Sequence, residues 1–495
     1  MMTHNMVMTP TSHFAPEDFI GDDALMIETA ERFSREEVVP RAEAIDHQEP
    51  GLMPRLIREA GQLGLCGIDT ADAYGGLGQS KNLAARMLEM LSLNGSFSVT
   101  YGITSGISQA GLSLFGTDAQ KAQWLPALAM GEQIGAYCLS EPNSGSDALS
   151  ATTKAIPHNG GYSLTGTKMW ISNAQWADVF LVMAKVDGEK FSAFLVPRNT
   201  DGLTVEREEY KMGLKGSSTA RVTLNDAWIP AENLLHEEGK GHQVAFNALN
   251  IGRFKLASMS IGPARYAIEI AADYAKNRKQ FGQSLASFGM IQEKFARMAA
   301  LFFGAESAIY RVGALIDDAF AETGGTIDGN RKAAEKYAIQ CAMVKVFSTE
   351  AESEIVDEAL QVYGGYGFTE EFPIARVYRD ARVSRIYEGT NEINRLFIAG
   401  RLAKEGVIPP FERQTEQAAA ADLAMYDFIL ESARLRSERF PSLAPLHEVL
   451  TEILAPKRIL ANSRIKGDGD IDFPEPDVEA IGAATVERGR PWSGV

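Results

Sequence analysis

Cysteine is scarce in this chain of 495 residues: Cys66, Cys138 and Cys341 lie far apart and form no CxxC pair. An odd, dispersed set builds neither a disulfide framework nor a structural zinc site, and it points to a reducing compartment. No uninterrupted apolar run reaches the roughly 18 residues a membrane-spanning helix needs. Met1 to Pro10 lacks the basic start and apolar stretch of a signal peptide. Positive charge is outnumbered, with 48 Lys plus Arg against 65 Asp plus Glu and a net charge of -17. That balance argues against nucleic acid or an anionic membrane as the main partner. There is no GxxxxGK, no GxGxxG opening a helix after a strand, no HExxH and no GxSxG. The seven histidines are scattered, without a pair at helical metal spacing, and no metal is expected. Chemistry is left to carboxylates, backbone donors or a bound cofactor. The expectation is a cytoplasmic, acidic, multidomain chain.

What is present divides by texture. Hydrophobic residues make up 45% and charged residues 23%, the balance of a globular protein with a substantial core. From Pro16 to Gly131 the pattern is helical, as in Ala24, Ile27, Ala30 and Phe33 at three-residue spacing. From Tyr137 to Glu232, short runs such as Val179 to Val182 and Ala193 to Val196 are broken by Gly, Asn and Asp. Their spacing predicts a compact antiparallel β domain. Helices return after Gly241: Ile261 to Lys279, Ile291 to Leu315, Arg331 to Gly364 and Asn391 to Leu402, each with an apolar face that suits a bundle. After Pro409 come an amphipathic helix from Ala418 and another near Leu446 to Leu454. Gly467 to Val495 has the composition of a poorly ordered tail. The expected fold is mostly α with a central β domain. It comprises a helical N-terminal domain (16–135), a β-barrel-like middle domain (136–236), a four-helix bundle (237–405) and a partly helical extension (406–495).

Four constellations carry candidate chemistry. Tyr137 to Asp147 concentrates hydroxyls and small residues where helices give way to strands, and reads either as a linker or as a loop presenting donors to a ring or phosphate. Trp170 and Ser172 sit at alternate spacing, which on a regular strand puts them on one face; the competing reading is a core Trp. Arg278 and Phe281, at i and i+3, can reach one partner, or they close a helix with a favourable charge and Gly282. Gln361 to Phe368 places glycines among aromatics, permitting backbone approach to a flat ligand or a diphosphate. Ile386 to Glu392 follows, with Glu388 held between Tyr387 and Gly389 and with Thr390 a candidate N-cap before Ile393. A carboxylate among aromatics is partly desolvated and therefore more basic. The alternative is an aromatic-rich turn between two helices.

In this order and spacing the four blocks resemble the acyl-CoA dehydrogenase family of flavoenzymes, from Pro16 to Ala403, about four-fifths of the chain. The resemblance implies FAD as cofactor and Glu388 as the catalytic base that removes the α-proton of a fatty acyl-CoA. The Glu388 N–H and a flavin ribityl hydroxyl would then hold the thioester oxygen. It implies cofactor contacts from Tyr137, Leu139, Ser140, Ser146, Trp170, Ser172, Thr390 and Glu392. Arg278, Phe281, Gln361, Gly364 and Gly365 are implied to reach the FAD of a neighbouring subunit, which makes the protein a dimer or tetramer. Ser146, Asn250, Arg253 and Gly389 are implied at the substrate, and an electron-transfer flavoprotein is implied as oxidant. The family has an alternative base position; its equivalent here is Gly252, so Glu388 is the one candidate. Asn250-Ile251-Gly252-Arg253-Phe254 and Phe288 to Lys294 resemble the very-long-chain branch, implying a long-chain substrate in β-oxidation. Asn143 replaces the usual Gly of the first block, and Gly289 stands where several short-chain members carry a cofactor-binding Gln. Lys457, Arg458, Arg464 and Lys466 cluster in the extension, a basic end that is either solvated or weakly attracted to the inner membrane face. Two rival readings are a member diverted from β-oxidation (an oxidase or DNA-repair-associated homologue) and a flavin-free scaffold. The intact Glu388 and the net charge argue against the first. Trp170, Arg278 and Gln361 to Gly365 argue against the second.

Overall fold

The computed structural model describes residues 14–466; the expectations for the Met-rich start and for the tail from Gly467 lie outside the described residues. The chain opens with α1 (Asp22–Phe33), α2 (Ala42–Asp46), α3 (Leu52–Gln62), α4 (Lys81–Leu91), α5 (Gly95–Gly102), α6 (Gln109–Phe115) and α7 (Asp118–Ala129). Ser80, Asn94 and Thr117 start α4, α5 and α7 by accepting the backbone N–H groups of Leu83, Phe97 and Gln120, the task their short oxygens suit. Between α5 and α6 the backbone widens into a π-helical stretch, Ile103–Ser108. There the Ser105 carbonyl accepts Lys255 Nζ at 3.3 Å, while Lys255 pairs with Asp69 at 3.0 Å.

Eight strands follow: β1 (Gly135–Cys138), β2 (Lys154–His158), β3 (Gly161–Ser172), β4 (Val179–Val186), β5 (Lys190–Pro197), β6 (Leu203–Glu208), β7 (Thr219–Pro230) and β8 (Leu234–Leu235). They form one sheet in the order β6-β7-β3-β2-β4-β5-β8, with β1 also on β4. Most pairs are antiparallel as the turn spacing predicts, but β1 and β2 both pair with β4 in parallel. Turn spacing detects only hairpins, and β1 enters the sheet directly from the helical region. β1 lies along Val179–Val182 and β2 beside Lys185 and Val186, so the loop between them, residues 139–153, leaves the sheet from the middle of that edge. β4 is buried on both faces. Phe180, Val182 and Ala184 enter the core of the β domain, whereas Val179, Leu181 and Met183 join the helical core.

The second helical region contains α8 (Gly241–Asn277), α9 (Gly289–Ala321), α10 (Ile327–Lys336), α11 (Ala338–Tyr363), α12 (Pro373–Ala381) and α13 (Asn391–Lys404). α8 begins 20 residues before the expected Ile261. Its first half, Gly241 to Ser260, is buried on nearly all sides and so lacks the one-sided apolar stripe that reveals a surface helix. The expected single helix from Arg331 is two, separated at Tyr337 (φ -111, ψ 27). Ala264, Ala267, Ala271 and Ala275 are fully buried on α8. α9 is the one described helix long and apolar enough to cross a membrane, with a window of mean hydropathy 1.4, yet 83% of that window is buried inside the protein. It is a core helix.

The extension forms α14 (Gln414–Arg439) and α15 (Ala444–Lys466), which pack on each other and on α9, with Leu450 and Leu454 fully buried in the bundle core. Lys457 pairs with Glu354 at 2.7 Å and Arg458 with Asp427 at 2.6 Å, so two of the four clustered cations are engaged within the protein. Deeper in, Arg436 of α14 pairs with Glu306 of α9 at 2.8 Å and with Glu17 at 2.6 Å. Arg86 and Arg265 complete the shell around Glu306 at 2.9 and 3.0 Å. These cations hold the Glu306 carboxyl down at about 2 against the opposing effect of burial. Removing one partner of a buried ionic set is typically worth about 3 kcal/mol. Arg436→Ala should therefore lower the unfolding free energy measured in urea by that order, with α14 and α15 loosening first in hydrogen exchange; a loss below about 1 kcal/mol would show that Arg436 does not hold the extension in place.

Candidate active site

α12 ends at Ala381, a tight turn runs over Arg382–Arg385, and the chain then reaches Glu388 and Gly389 before α13. Thr390 caps α13 by accepting the N–H of Ile393 at 3.3 Å, as the sequence predicts. Glu388 and Gly389 both lie in the left-handed region, at φ 55 and 85. Gly389 adopts this freely, whereas for Glu388 it costs about 1–3 kcal/mol unless neighbours impose it. The neighbours do. The Gly389 carbonyl accepts Asn394 Nδ2 at 2.7 Å and Lys345 Nζ at 3.0 Å, and the Glu388 carbonyl accepts Arg253 Nε at 3.3 Å. Arg253 is steadied by Asn250 Oδ1 at 3.3 Å and lies over the Phe397 ring at 5.1 Å.

The turn presses the Glu388 carboxyl onto α8 at Gly252. A β-carbon on Gly252 would stand 3.0 Å from Oε2 and 3.3 Å from Cδ, so glycine there is what leaves room for the carboxyl. Oε2 is buried and has no hydrogen-bond partner among the described residues, and the same holds for the Tyr137 hydroxyl. Burial pushes the Glu388 carboxyl up to about 7, against the pull of Lys345 and Arg253. Burial likewise raises Tyr137, with the Glu388 charge adding to it, and brings Lys345 down to about 7. The result is a carboxyl able to gain or lose a proton near neutrality.

Tyr137 and Leu139 pack with Ile103, Ile107, Ala248 and Leu249, which sets the start of the 139–153 loop beside α8 and the π-helical stretch. One buried ion pair shapes this loop. Glu141 accepts Thr152 N at 2.6 Å, Thr153 N at 3.0 Å and Lys168 Nζ at 2.7 Å, and Lys168 also reaches the Leu139 carbonyl at 3.2 Å. Lys168 is fully buried. Its charge and these hydrogen bonds hold Glu141 down at about 2 despite burial. The Ser140 carbonyl accepts Met169 N at 2.9 Å, so Ser140 lies against β3, while Ser146 is exposed at the loop tip. β3 does not alternate regularly here: its pairing shifts between Lys168 and Ile171, and Trp170 takes φ 56. Alternation alone therefore does not put Trp170 and Ser172 on one face; the bulge turns the Trp170 side chain outward, 58% exposed, with Ser172 half-buried. Asn173, also left-handed at φ 65, donates to the carbonyls of Thr100 and Gly135 at 3.1 and 3.0 Å and locks this corner to α5 and β1.

The remaining predicted residues are elsewhere. Arg278 and Phe281 follow the far end of α8, and Gln361, Gly364 and Gly365 close α11 beside them, with the Arg278 guanidinium 5.5 Å from the Tyr366 ring centre. Twenty-six residues separate Gly252 from Arg278, about 39 Å along a helix. A single chain does not bring this group to Glu388. Phe281 is 95% exposed at φ 52, and a β-carbon on Gly364 or Gly365 would meet nothing within 4 Å. Glu392 is exposed in the first turn of α13, where its own N–H and the Thr390 hydroxyl hold it below the usual carboxylate range.

The three domain profiles of one family match this chain in order: acyl-CoA dehydrogenase N-terminal domain over residues 22–132, middle domain over 136–227 and C-terminal domain over 239–403. A probable acyl-CoA dehydrogenase of Bacillus subtilis is 45% identical over 409 residues, 81% of this chain and 69% of its own length. The chain belongs to the acyl-CoA dehydrogenase family. A very long-chain specific acyl-CoA dehydrogenase of Macaca fascicularis mitochondria is 42% identical over 350 residues, and this chain spans about half of that relative, 51%. An acyl-CoA dehydrogenase of Bacillus anthracis, solved with FAD, superposes with a TM-score of 0.87 at 39% identity, covering 92% of this chain and 88% of that one.

The enzyme is FAD-dependent, as its family is, and the residues present fit a flavin. They offer an outward indole at Trp170, hydroxyls at Ser140, Ser172 and Thr390, and, at the far end, a guanidinium beside two glycines that leave their surroundings open. Sequence reading missed Glu141, Lys168, Asn173 and Lys345. A signal existed for Lys345, a lone charge in the apolar run Ala342 to Phe347. Glu141 and Lys168 are 27 residues apart, and only the fold joins them. Lys168→Met should strand the Glu141 carboxylate in the core, destabilising the protein by about 3–5 kcal/mol, with 139–153 becoming the first segment cut in limited proteolysis; unchanged cleavage there would mean that the pair does not shape the loop.

Proposed function

We propose that this acyl-CoA dehydrogenase introduces a trans double bond between Cα and Cβ of a long-chain fatty acyl-CoA, in β-oxidation, with Glu388 as the base. The buried, unpartnered Oε2 of Glu388 carries the reading. A carboxylate whose buried Oε2 faces no donor and whose basicity is raised to about 7 is suited to taking a weakly acidic C–H proton rather than to an ion pair. FAD, when bound, accepts the hydride lost from Cβ. Glu388 takes the α-proton, and the left-handed turn keeps its carboxyl against Gly252. Asn250, Arg253 and Gly389 line the substrate side, Arg253 fixing the backbone of the base. Tyr137, Leu139, Ser140, Ser146, Trp170, Ser172, Thr390 and Glu392 contact the chain's own cofactor.

Arg278, Phe281, Gln361, Gly364 and Gly365 serve the cofactor of a second copy, because about 39 Å of helix removes them from Glu388; the working unit is therefore at least a dimer. The long-chain preference is supported by the very long-chain relatives. The oxidant is an electron-transfer flavoprotein, the setting is cytoplasmic, and any membrane contact is weak, with Lys457 and Arg458 already paired. Dye-coupled assays of the flavin-loaded protein from butyryl- to eicosanoyl-CoA test this: the longer thioesters should give the higher kcat/KM, and no turnover with any of them would reject the reading.

Glu388→Gln should keep flavin and acyl-CoA binding while slowing single-turnover flavin bleaching about 10²- to 10⁴-fold. In the wild type, bleaching should accelerate as pH rises through about 7, because the base works deprotonated; a wild-type rate in the variant would remove Glu388 from the chemistry. Arg278→Ala should release flavin on dilution, at protein concentrations where the wild type retains it. A monomer that keeps FAD at nanomolar concentration would refute the shared site.

A further inference from the structure

Lys345 lies in the middle of α11 and is fully removed from solvent. Its ammonium makes no ion pair among the described residues, although a buried cation without a counter-charge is costly. Two of its three donors are spent on the flanks of Glu388. One goes to the Gly389 carbonyl at 3.0 Å and one to Asn391 Oδ1 at 2.7 Å. Asn391 is in turn fixed by donating to Thr349 Oγ1 and Glu350 Oε1, both at 3.1 Å. The lysine thus grips the glycine immediately after the base and the second residue beyond it. Gly389 is the link in this turn with the greatest conformational freedom, and it is here that the clamp acts. We propose that Lys345 is a positioning residue for Glu388: it fastens the left-handed turn from the carbonyl side and supplies the positive charge that keeps the buried carboxyl available as a base.

Of the other charges around Glu388, Arg253 shares part of this role, from the opposite side. From α8, Arg253 holds the Glu388 carbonyl and adds a second cation. From β1, Tyr137 contributes a neutral hydroxyl, and within the loop Tyr387 is likewise neutral, pushed up by burial and by Glu352, Glu388 and Asp380. Lys345 itself faces Glu388, Glu350 and Glu392, opposed by Arg253. Glu388 and Lys345 both titrate near 7, so each one's charge favours the other's. The sign is definite. Losing the cation raises the carboxyl further, and a base that must be deprotonated then needs a higher pH.

The proposal rests on Glu388 being the base, and the experiment separates the two. Anaerobic single-turnover flavin bleaching is followed against pH for the wild type, Lys345→Gln, Lys345→Met, Lys345→Arg and Glu388→Gln, with flavin content and acyl-CoA affinity measured alongside. Lys345→Gln, which keeps a donor for the Gly389 carbonyl, should retain the alkaline plateau within about tenfold. Its acid limb should move to higher pH by about 1 to 3, the range for an opposite charge nearby. Lys345→Met should show the same displacement and a lower plateau, because the clamp is lost as well. Lys345→Arg should leave the limb near its wild-type position. Wild-type limbs and plateaus in both the Gln and Met variants would overturn the proposal. So would failure of all three Lys345 variants to hold flavin, which assigns the lysine to folding alone. Wild-type bleaching by Glu388→Gln would instead overturn the base, whatever the lysine variants do.

Discussion

Placing one oxygen of a carboxylate where neither water nor a hydrogen-bond donor reaches it raises the group's free energy, and left alone the group protonates or turns outward. The surroundings of Glu388 are arranged against both escapes. A backbone conformation that few non-glycine residues adopt aims the side chain at α8, and hydrogen bonds to two successive carbonyls keep it aimed. Two cations stand close enough to act on the carboxyl, yet both spend their hydrogen bonds on the backbone and on asparagines rather than on Oε2. Charge stabilises the ionised form at a distance while the basic oxygen keeps its lone pairs.

The rest of the architecture delivers components to that point. α8 contributes the glycine and the arginine, α11 the lysine, and the β domain the strand and loop that face them. The parallel placement of β1 and β2 on one edge of β4 opens the sheet where the 139–153 loop emerges, and the Glu141–Lys168 pair gives the loop a buried anchor. α14 and α15 bind the back of the bundle through Arg436 and through Leu450 and Leu454. They brace α9, and Asp422 of α14 holds Arg395 of α13, which also pairs with Glu350 beside Asn391.

Much of this was legible in the sequence, for identifiable reasons. Texture separated helix from strand because the two periods, 3.6 and 2, differ strongly. Thr390 was readable as an N-cap because capping is local chemistry. The start of α8 was not, since a helix buried on nearly all sides has no polar face to mark its period. The bulge at Trp170 was hidden because register shifts depend on the partner strand, β7. Resemblance named Asn250 and Arg253 beside Glu388 but not the lysine that holds the turn from α11. Lys345 and Asn391 are 46 residues apart and become neighbours only through the fold. The separation of Arg278 from Glu388 was likewise invisible until α8 proved to be one continuous helix.

The empty β-carbon position on Gly252 bears on how such a site could be rebuilt. The resemblance implies that the family's alternative base position corresponds to 252, and in this structure a β-carbon there would stand 3.0 Å from Oε2, so the Glu388 carboxyl would have to give way slightly. A side chain at 252 and the Glu388 carboxyl would thus press on one another. Moving the base from one to the other requires two exchanges, and either order has an intermediate at a disadvantage. Adding a side chain at 252 first crowds the existing carboxyl. Shortening 388 first removes the proposed base. A lineage crossing that gap must tolerate a strained or idle enzyme, or make both replacements together.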